Sequence, residues 1–145
     1  GAPVGSLMLS TKEKISNARV WRKRYGAGMR QVGILAAAGH YALDTNLPLL
    51  RNDHRRAHFL AEKLHAIVPS IVDPKNVETN IVSLDLSDIS LNAAEFTLLL
   101  KNEGVLISAL GPNFARVVTH LDIDDEGIEF TAEAMGRVLQ GALVA

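Results

Sequence analysis

An apolar stripe at helical spacing runs through residues 47–67. It consists of Leu47, Leu50, Ala57, Leu60, Leu64 and Ile67. Positions three or four residues apart lie on one side of an α-helix, so the stripe predicts a helix with one face buried against a core. Asn46 is a candidate N-cap and Pro48 suits a first turn, so we expect the helix to begin there. Such a helix needs a layer to pack against.

The downstream sequence predicts that layer as a sheet. Residues 80–86 alternate between apolar and polar side chains, which is typical of a half-buried strand. Other apolar runs predict strands at residues 70–72, 105–109 and 114–121.

Two further helices are predicted in the same region. One begins at Asn92, where Glu95 completes a capping box, and ends at Gly104. The other begins near Asp125, whose charge suits a helix N-terminus. Helices on one face of an antiparallel sheet fit this order, so residues 46–145 are predicted to form an α+β domain.

Residues 1–45 do not predict a core of their own. A short strand is expected at residues 7–9, a helix at 12–24 and a second helix at 29–44. Residues 33–39 of that second helix are small or apolar on nearly all sides, which predicts burial on most faces. We therefore expect residues 1–45 to be the end of a larger domain with a connecting helix.

Charge and composition exclude several classes of partner. The net charge of −1 does not indicate a nucleic-acid surface, and no apolar run approaches the roughly 20 residues needed to span a bilayer. There is no cysteine, and the first ten residues lack the basic region of a signal peptide, so the cytoplasm is the expected compartment. His54 and His58 have metal-ligand spacing but no third ligand nearby, so no metal site is predicted.

Two cationic features could bind an anion. Residues 21–31 carry Arg22, Lys23 and Arg30 around a glycine-containing loop before a helix, where free N–H groups attract anions. A solvated basic helix face is the alternative. Arg116 lies within an otherwise apolar strand, where burial requires an anionic partner and a carboxylate suits the guanidinium. An edge strand with Arg116 facing water is the alternative there.

Several stretches together resemble the threonine aldolases of the beta-eliminating lyase family, which have the pyridoxal-phosphate (PLP) dependent transferase fold of type I. The specific motifs are Gly-Ala-Gly-Met-Arg-Gln at residues 26–31 and Arg-Val-Val-Thr-His at residues 116–120. Residues 1–6, 33–39 and 77–80 extend the match. Ala27 replaces a glycine of the family motif and would be strained if that position needs a positive φ.

The resemblance implies an α/β enzyme that cleaves L-threonine or L-allo-threonine to glycine and acetaldehyde. Arg116 and Lys23 are then expected to bind the substrate, and Arg30 to contribute to cofactor binding. The lysine that holds PLP is expected upstream of Gly1, so this chain is a C-terminal part that is expected to be inactive by itself, with no catalytic residue of its own. A homo-oligomer, a dimer of dimers, is the implied assembly.

Two other interpretations stay open at this point. One is a different PLP-dependent lyase or transaminase of the same fold. The other is a non-catalytic interaction module formed by the small domain alone.

Overall fold

The computed structural model describes residues 1–144, which divide into two units, Gly1–Pro48 and a second that begins at Leu49. The first contains α1 (Lys12–Arg24) and α2 (Gly33–Tyr41). The second contains, in chain order, α3 (Leu50–Ile67), β1 (Ile81–Asp85), α4 (Ala93–Asn102), β2 (Ser108–Gly111), β3 (Phe114–Val118) and α5 (Asp125–Val144). Within residues 1–144 no helix combines the length and apolar character needed to cross a membrane.

The sheet of the second unit is antiparallel, with strand order β1-β3-β2. Helices α3 and α4 pack against its strands, and α5 packs on both helices. Alternate residues of β1 and β3 point into this core, where Val82, Leu84, Ala115 and Val117 are buried. The predicted layer of helices on an antiparallel sheet is therefore confirmed.

The predicted helices of this unit are confirmed, with one correction at the start of α3. Asn46 does not cap α3, and Pro48 does not begin it. The backbone instead stays helical after α2, as a π-helical turn over Ala42–Asn46 and a 3₁₀ turn over Leu47–Leu49. Asn46 thus lies inside a continuous helical path and lacks the extended backbone typical of an N-cap.

Two of the predicted strands are wrong. Residues 69–71 form a turn, in which the carbonyl of Val68 accepts from the N–H of Ile71 at 3.1 Å, and residue 72 has no regular structure. Ile71 and Val72 are nevertheless buried, so their apolar character reflects the core and not a strand. Residues 7–9 pair with no strand in the described part of the chain and are largely exposed. The strand predicted at 105–109 begins later, at Ser108.

The first unit confirms α1 and corrects α2. Thr11 caps α1 by accepting from the N–H of Lys14 at 3.4 Å. Helix α2 begins at Gly33 and not at Met29. None of its residues is buried among residues 1–144, and Ile34 is 82% exposed. The burial of this helix, which we expect against a larger domain or another subunit, stays a prediction. The assignment of residues 1–45 to the end of a cofactor-binding domain remains a prediction.

Candidate active site

Arg116 lies on the central strand of the sheet. β3 pairs with β1 on one side and with β2 on the other, so the edge-strand alternative is wrong. The side chains of β3 alternate, and Arg116 shares the face opposite the helices with Phe114 and Val118. Arg116 is half-buried on this uncovered face, whereas its sequence neighbours point into the core. A guanidinium is thus held at the middle of a mostly apolar surface.

Arg116 has no acidic partner among residues 1–144. Its Nε is buried and lacks an acceptor, and no ion pair involves its guanidinium. The carboxylate of Asp85 lies on the same face, opposite Phe114 in the strand register. That carboxylate accepts instead from the Ser87 side chain and from the N–H of Ser87, at 3.0 Å for the N–H, and these bonds lower the pKa of Asp85. The guanidinium is therefore available to an external anion, and its fork of donors suits a carboxylate.

Thr119, in the same motif as Arg116, has a structural role that the sequence did not reveal. Its buried hydroxyl donates to the carbonyl of Asp53 on α3 at 2.7 Å. Its N–H donates to the carbonyl of Asn80 at 2.9 Å, and the Asn80 amide donates back to the carbonyl of Thr119 at 2.6 Å. This exchange extends the pairing of β1 with β3 past the ladder and holds the end of the strand that carries Arg116.

The cationic loop of the first unit is a helix C-cap. The N–H of Gly26 donates to the carbonyl of Lys23 at 3.1 Å, and that of Ala27 donates to the carbonyl of Arg22 at 3.0 Å. Gly26 has a φ of +78°, and these features define a Schellman motif. Ala27 has no positive φ, so the expected strain at this position is absent. The departure from the family glycine is compatible with the loop.

Lys23 and Arg30 are both exposed in the first unit, and neither makes an ion pair within residues 1–144. The stem of Lys23 lies against Gly28, where an added Cβ would be 2.8 Å from Lys23 Cδ. Helix α2 begins at Gly33, so the predicted helix start directly after the glycine loop is wrong. Gln31, between the glycine loop and α2, has a φ of +49°. Lys23 and Arg30 belong to one unit and Arg116 to the other.

A second polar cluster, between α3 and α5, was not predicted. Asp125 accepts from Arg55 Nη2 at 2.7 Å and from Arg56 Nε at 2.7 Å. The bonds from Arg56 and Arg55 lower the pKa of Asp125. Asp53 is buried beside Arg56, at 3.8 Å between Oδ1 and Nη1. Because the partners are about 70 positions apart, no local pattern could have shown this cluster.

Metal ligation has no geometric support in the described residues, where no group of three or more His, Asp or Glu side chains could hold an ion. His58 instead lies 3.5 Å from the carboxylate of Glu62, one helical turn away. His120 Nδ1 accepts from the N–H of Asp122 at 3.3 Å. These histidines have local roles on the surface.

The fold is shared with a solved PLP-enzyme structure. An alpha-aminoadipate aminotransferase of Thermus thermophilus, complexed with N-(5'-phosphopyridoxyl)-L-leucine, superposes with a TM-score of 0.65 at 18% identity, over 94% of this chain and 38% of that chain. This likeness confirms the predicted α/β fold of the PLP-dependent transferases of type I.

The sequence profile of the beta-eliminating lyases matches residues 1–87, and the chain belongs to this family. It is 38% identical over 140 residues to low-specificity L-threonine aldolase 1 of Arabidopsis thaliana, covering 96% of this chain and 39% of that protein. It is 41% identical over 126 residues to the low specificity L-threonine aldolase of Escherichia coli K12, covering 87% of this chain and 36% of that protein. The chain thus spans about two fifths of the length of these curated relatives.

Proposed function

We propose that this chain is part of a PLP-dependent aldolase that cleaves L-threonine or L-allo-threonine to glycine and acetaldehyde. The observation that carries the proposal is Arg116, whose guanidinium has no partner among residues 1–144 and lies at the centre of the uncovered sheet face. The names of the relatives support the reaction, and the match to the Arabidopsis protein covers 96% of this chain.

The residues of this chain fit a cofactor that carries a phosphate group. Arg22, Lys23 and Arg30 form an exposed cationic segment with no carboxylate partner among residues 1–144. We assign Arg30 to cofactor binding and Lys23 to substrate binding. When bound, PLP would supply the electron sink that stabilises negative charge at the substrate Cα.

Arg116 would hold the carboxylate of the amino-acid substrate. Two parallel N–H···O bonds from one guanidinium fix the plane of a carboxylate as well as its position. Fixing the carboxylate restricts how the substituents of the substrate Cα can turn. The Cα–Cβ bond that is broken therefore keeps one orientation. Positioning of this kind contributes to rate because the reacting groups no longer have to find their geometry.

The reaction is tested on the full-length protein loaded with PLP. Purified protein is incubated with L-threonine or L-allo-threonine, and acetaldehyde and glycine are measured together. Equal amounts of both products are expected. Formation of a 2-oxo acid only when an amino acceptor is added would identify a transaminase instead. Absence of any turnover with a fully loaded cofactor would favour the interaction module.

The proposal also covers the activity of the chain alone, the assembly of the protein and its cellular compartment. We infer that the 145 residues alone do not catalyse the reaction, because the resemblance assigns the cofactor-holding lysine to none of the lysines they contain. The exposed apolar residues of α2, with Ile34 foremost, favour a homo-oligomer, for which we propose a dimer of dimers. We propose a cytoplasmic location. Sedimentation of the full-length protein and cell fractionation test these two points.

A further inference from the structure

The position of the Arg116 guanidinium depends on the backbone that carries it. Within residues 1–144 this guanidinium makes no hydrogen bond or ion pair, and its buried Nε lacks an acceptor. No polar side chain of the described residues therefore holds its donors in place. Where these donors lie relative to a bound carboxylate follows from the course of β3 and from the packing of the side chain on the sheet face.

Arg116 is the last residue of β3 that has a partner on both sides. In the strand register it stands opposite Ser83 on β1 and opposite Ser108 on β2, whereas the two residues that follow it in β3 have partners on β1 alone. On the other side of Arg116 the pairing of β3 with β2 is irregular, because the register shifts within β2. The course of β3 beyond Arg116 therefore depends on β1 and on whatever holds the end of the strand.

Thr119 holds that end through three hydrogen bonds. Its hydroxyl donates to the carbonyl of Asp53 on α3 at 2.7 Å, and only 1% of Thr119 is exposed. Its N–H donates to the carbonyl of Asn80 at 2.9 Å, and Asn80 Nδ2 donates to the carbonyl of Thr119 at 2.6 Å. The hydroxyl thus joins the strand to the helical layer, while the other two bonds join it to the residue before β1. A buried hydroxyl tolerates little displacement, because moving away would leave it without an acceptor.

We propose that Thr119 is a positioning residue for Arg116. Its bonds to Asp53 and Asn80 fix the end of β3, and they thereby set the place from which the Arg116 side chain extends, three residues earlier. Thr119 points into the core, on the face opposite Arg116, so it acts through the backbone. Two parallel N–H···O bonds require both donors to meet the carboxylate at once, so a small displacement of the guanidinium weakens both. This inference rests on the function proposed above for Arg116 and names the residue that places it.

Matched variants of Thr119 separate the hydroxyl from stability in general. Thr119→Val removes the hydroxyl at nearly constant shape, whereas Thr119→Ser keeps the hydroxyl and removes a buried methyl group, and both should lower the melting temperature. Ser90→Ala is the control for lost stability alone, because the Ser90 hydroxyl donates to the carbonyl of Ala142 at 2.8 Å, in a bond that involves neither β3 nor α3. All variants are made in the full-length PLP-loaded protein and assayed well below their melting temperatures.

Thr119→Val should raise the KM for threonine about 3- to 10-fold with kcat within about twofold, because carboxylate binding weakens while the reaction step is kept. Thr119→Ser and Ser90→Ala should keep the parent KM despite their lower melting temperatures. The affinity of Thr119→Val for glycine should fall as its KM rises, while that for glycinamide, which lacks the carboxylate charge, should not change. If Thr119→Val does not fold, Asn80→Ala, which removes the amide bond to the Thr119 carbonyl, carries the same comparison.

A double-mutant cycle with Arg116→Ala decides whether Thr119 acts through Arg116. In the Arg116→Ala background Thr119→Val should leave kcat/KM unchanged, since the group that it positions is gone. A further loss there by the same factor as in the parent would overturn the inference. A parent-like KM in Thr119→Val, or an equal rise of KM in Thr119→Ser or Ser90→Ala, would overturn it too. If Arg116→Ala by itself keeps the parent kcat/KM, the proposed carboxylate site is wrong, and the role of Thr119 falls with it.

Discussion

Replacing Arg116 with alanine in the full-length protein removes the only cation of the central strand. Truncating one partner of a desolvated charge pair costs about 2–5 kcal/mol, largely because the other charge is left unpaired. Arg116 is half-buried, so partial solvent screening puts the loss near the lower end, at about 2–3 kcal/mol. At about 1.4 kcal/mol per tenfold, kcat/KM for threonine should fall roughly 30- to 150-fold.

Arg116→Lys keeps the charge but loses the planar pair of donors, so it should also lower kcat/KM, by less than alanine does. The assay is steady-state acetaldehyde release, with PLP occupancy measured by absorbance, which we expect to stay at the parent level. Arg137→Ala is the matched control, because Arg137 is a surface arginine of α5 that pairs with Glu103 at 2.8 Å. A kcat/KM of Arg116→Ala within about threefold of the parent, at full occupancy, would refute the reasoning.

Three further predictions concern the loop, the helix cluster and the isolated chain. Gly28→Ala should displace the Lys23 stem and raise KM for threonine severalfold without lowering the melting temperature. Gly33→Ala is the control, because an added Cβ there meets open space, and it should leave KM unchanged. Equal KM values in the two variants would contradict a role for Lys23. Because its folded pKa is lowered, Asp125 stabilises the fold above its unfolded pKa of about 3.9 and loses this contribution as pH falls through the folded value. The melting temperature of Asp125→Asn should thus lie below that of the parent at neutral pH and converge with it in acid, and a constant gap would argue against the ion pairs. The purified 145-residue chain mixed with PLP should release no acetaldehyde from threonine, and measurable release would disprove its dependence on other residues.

Local signals predicted the elements whose stabilising contacts are themselves local. The capping box of α4 is present in both directions, with Asn92 and Glu95 each bonding the backbone of the other at 3.0 Å. Gly104, which ends that helix region, has a φ of +84°. The strand prediction at residues 70–72 failed because a short run of buried apolar residues gives the same sequence pattern in a turn and in a strand. Only pairing with another strand distinguishes the two.

The candidate site was predictable in its key residue but not in its surroundings. Alternation along β3 correctly placed Arg116 with Phe114 and Val118. The central position of β3 could not be predicted, because the order β1-β3-β2 requires β3 to pair also with β1, whose partner residues lie 29 to 37 positions away. The same long-range pairing sets Ser83 opposite Arg116, so this neighbour is visible only in the folded chain.

The Arg-Val-Val-Thr-His motif places the proposed carboxylate-binding residue and a structural anchor on opposite faces of one strand and its extension. Arg116 points to the uncovered face, while Thr119, three positions on, points to the core side and bonds α3 through the Asp53 carbonyl. An odd spacing in an extended chain puts two side chains on opposite faces, so binding and anchoring do not compete for space. The bonds of Thr119 with Asn80 also fix the register of β1 against β3 at one end. Because that register sets Ser83 opposite Arg116, anchoring the strand also determines which groups surround the guanidinium.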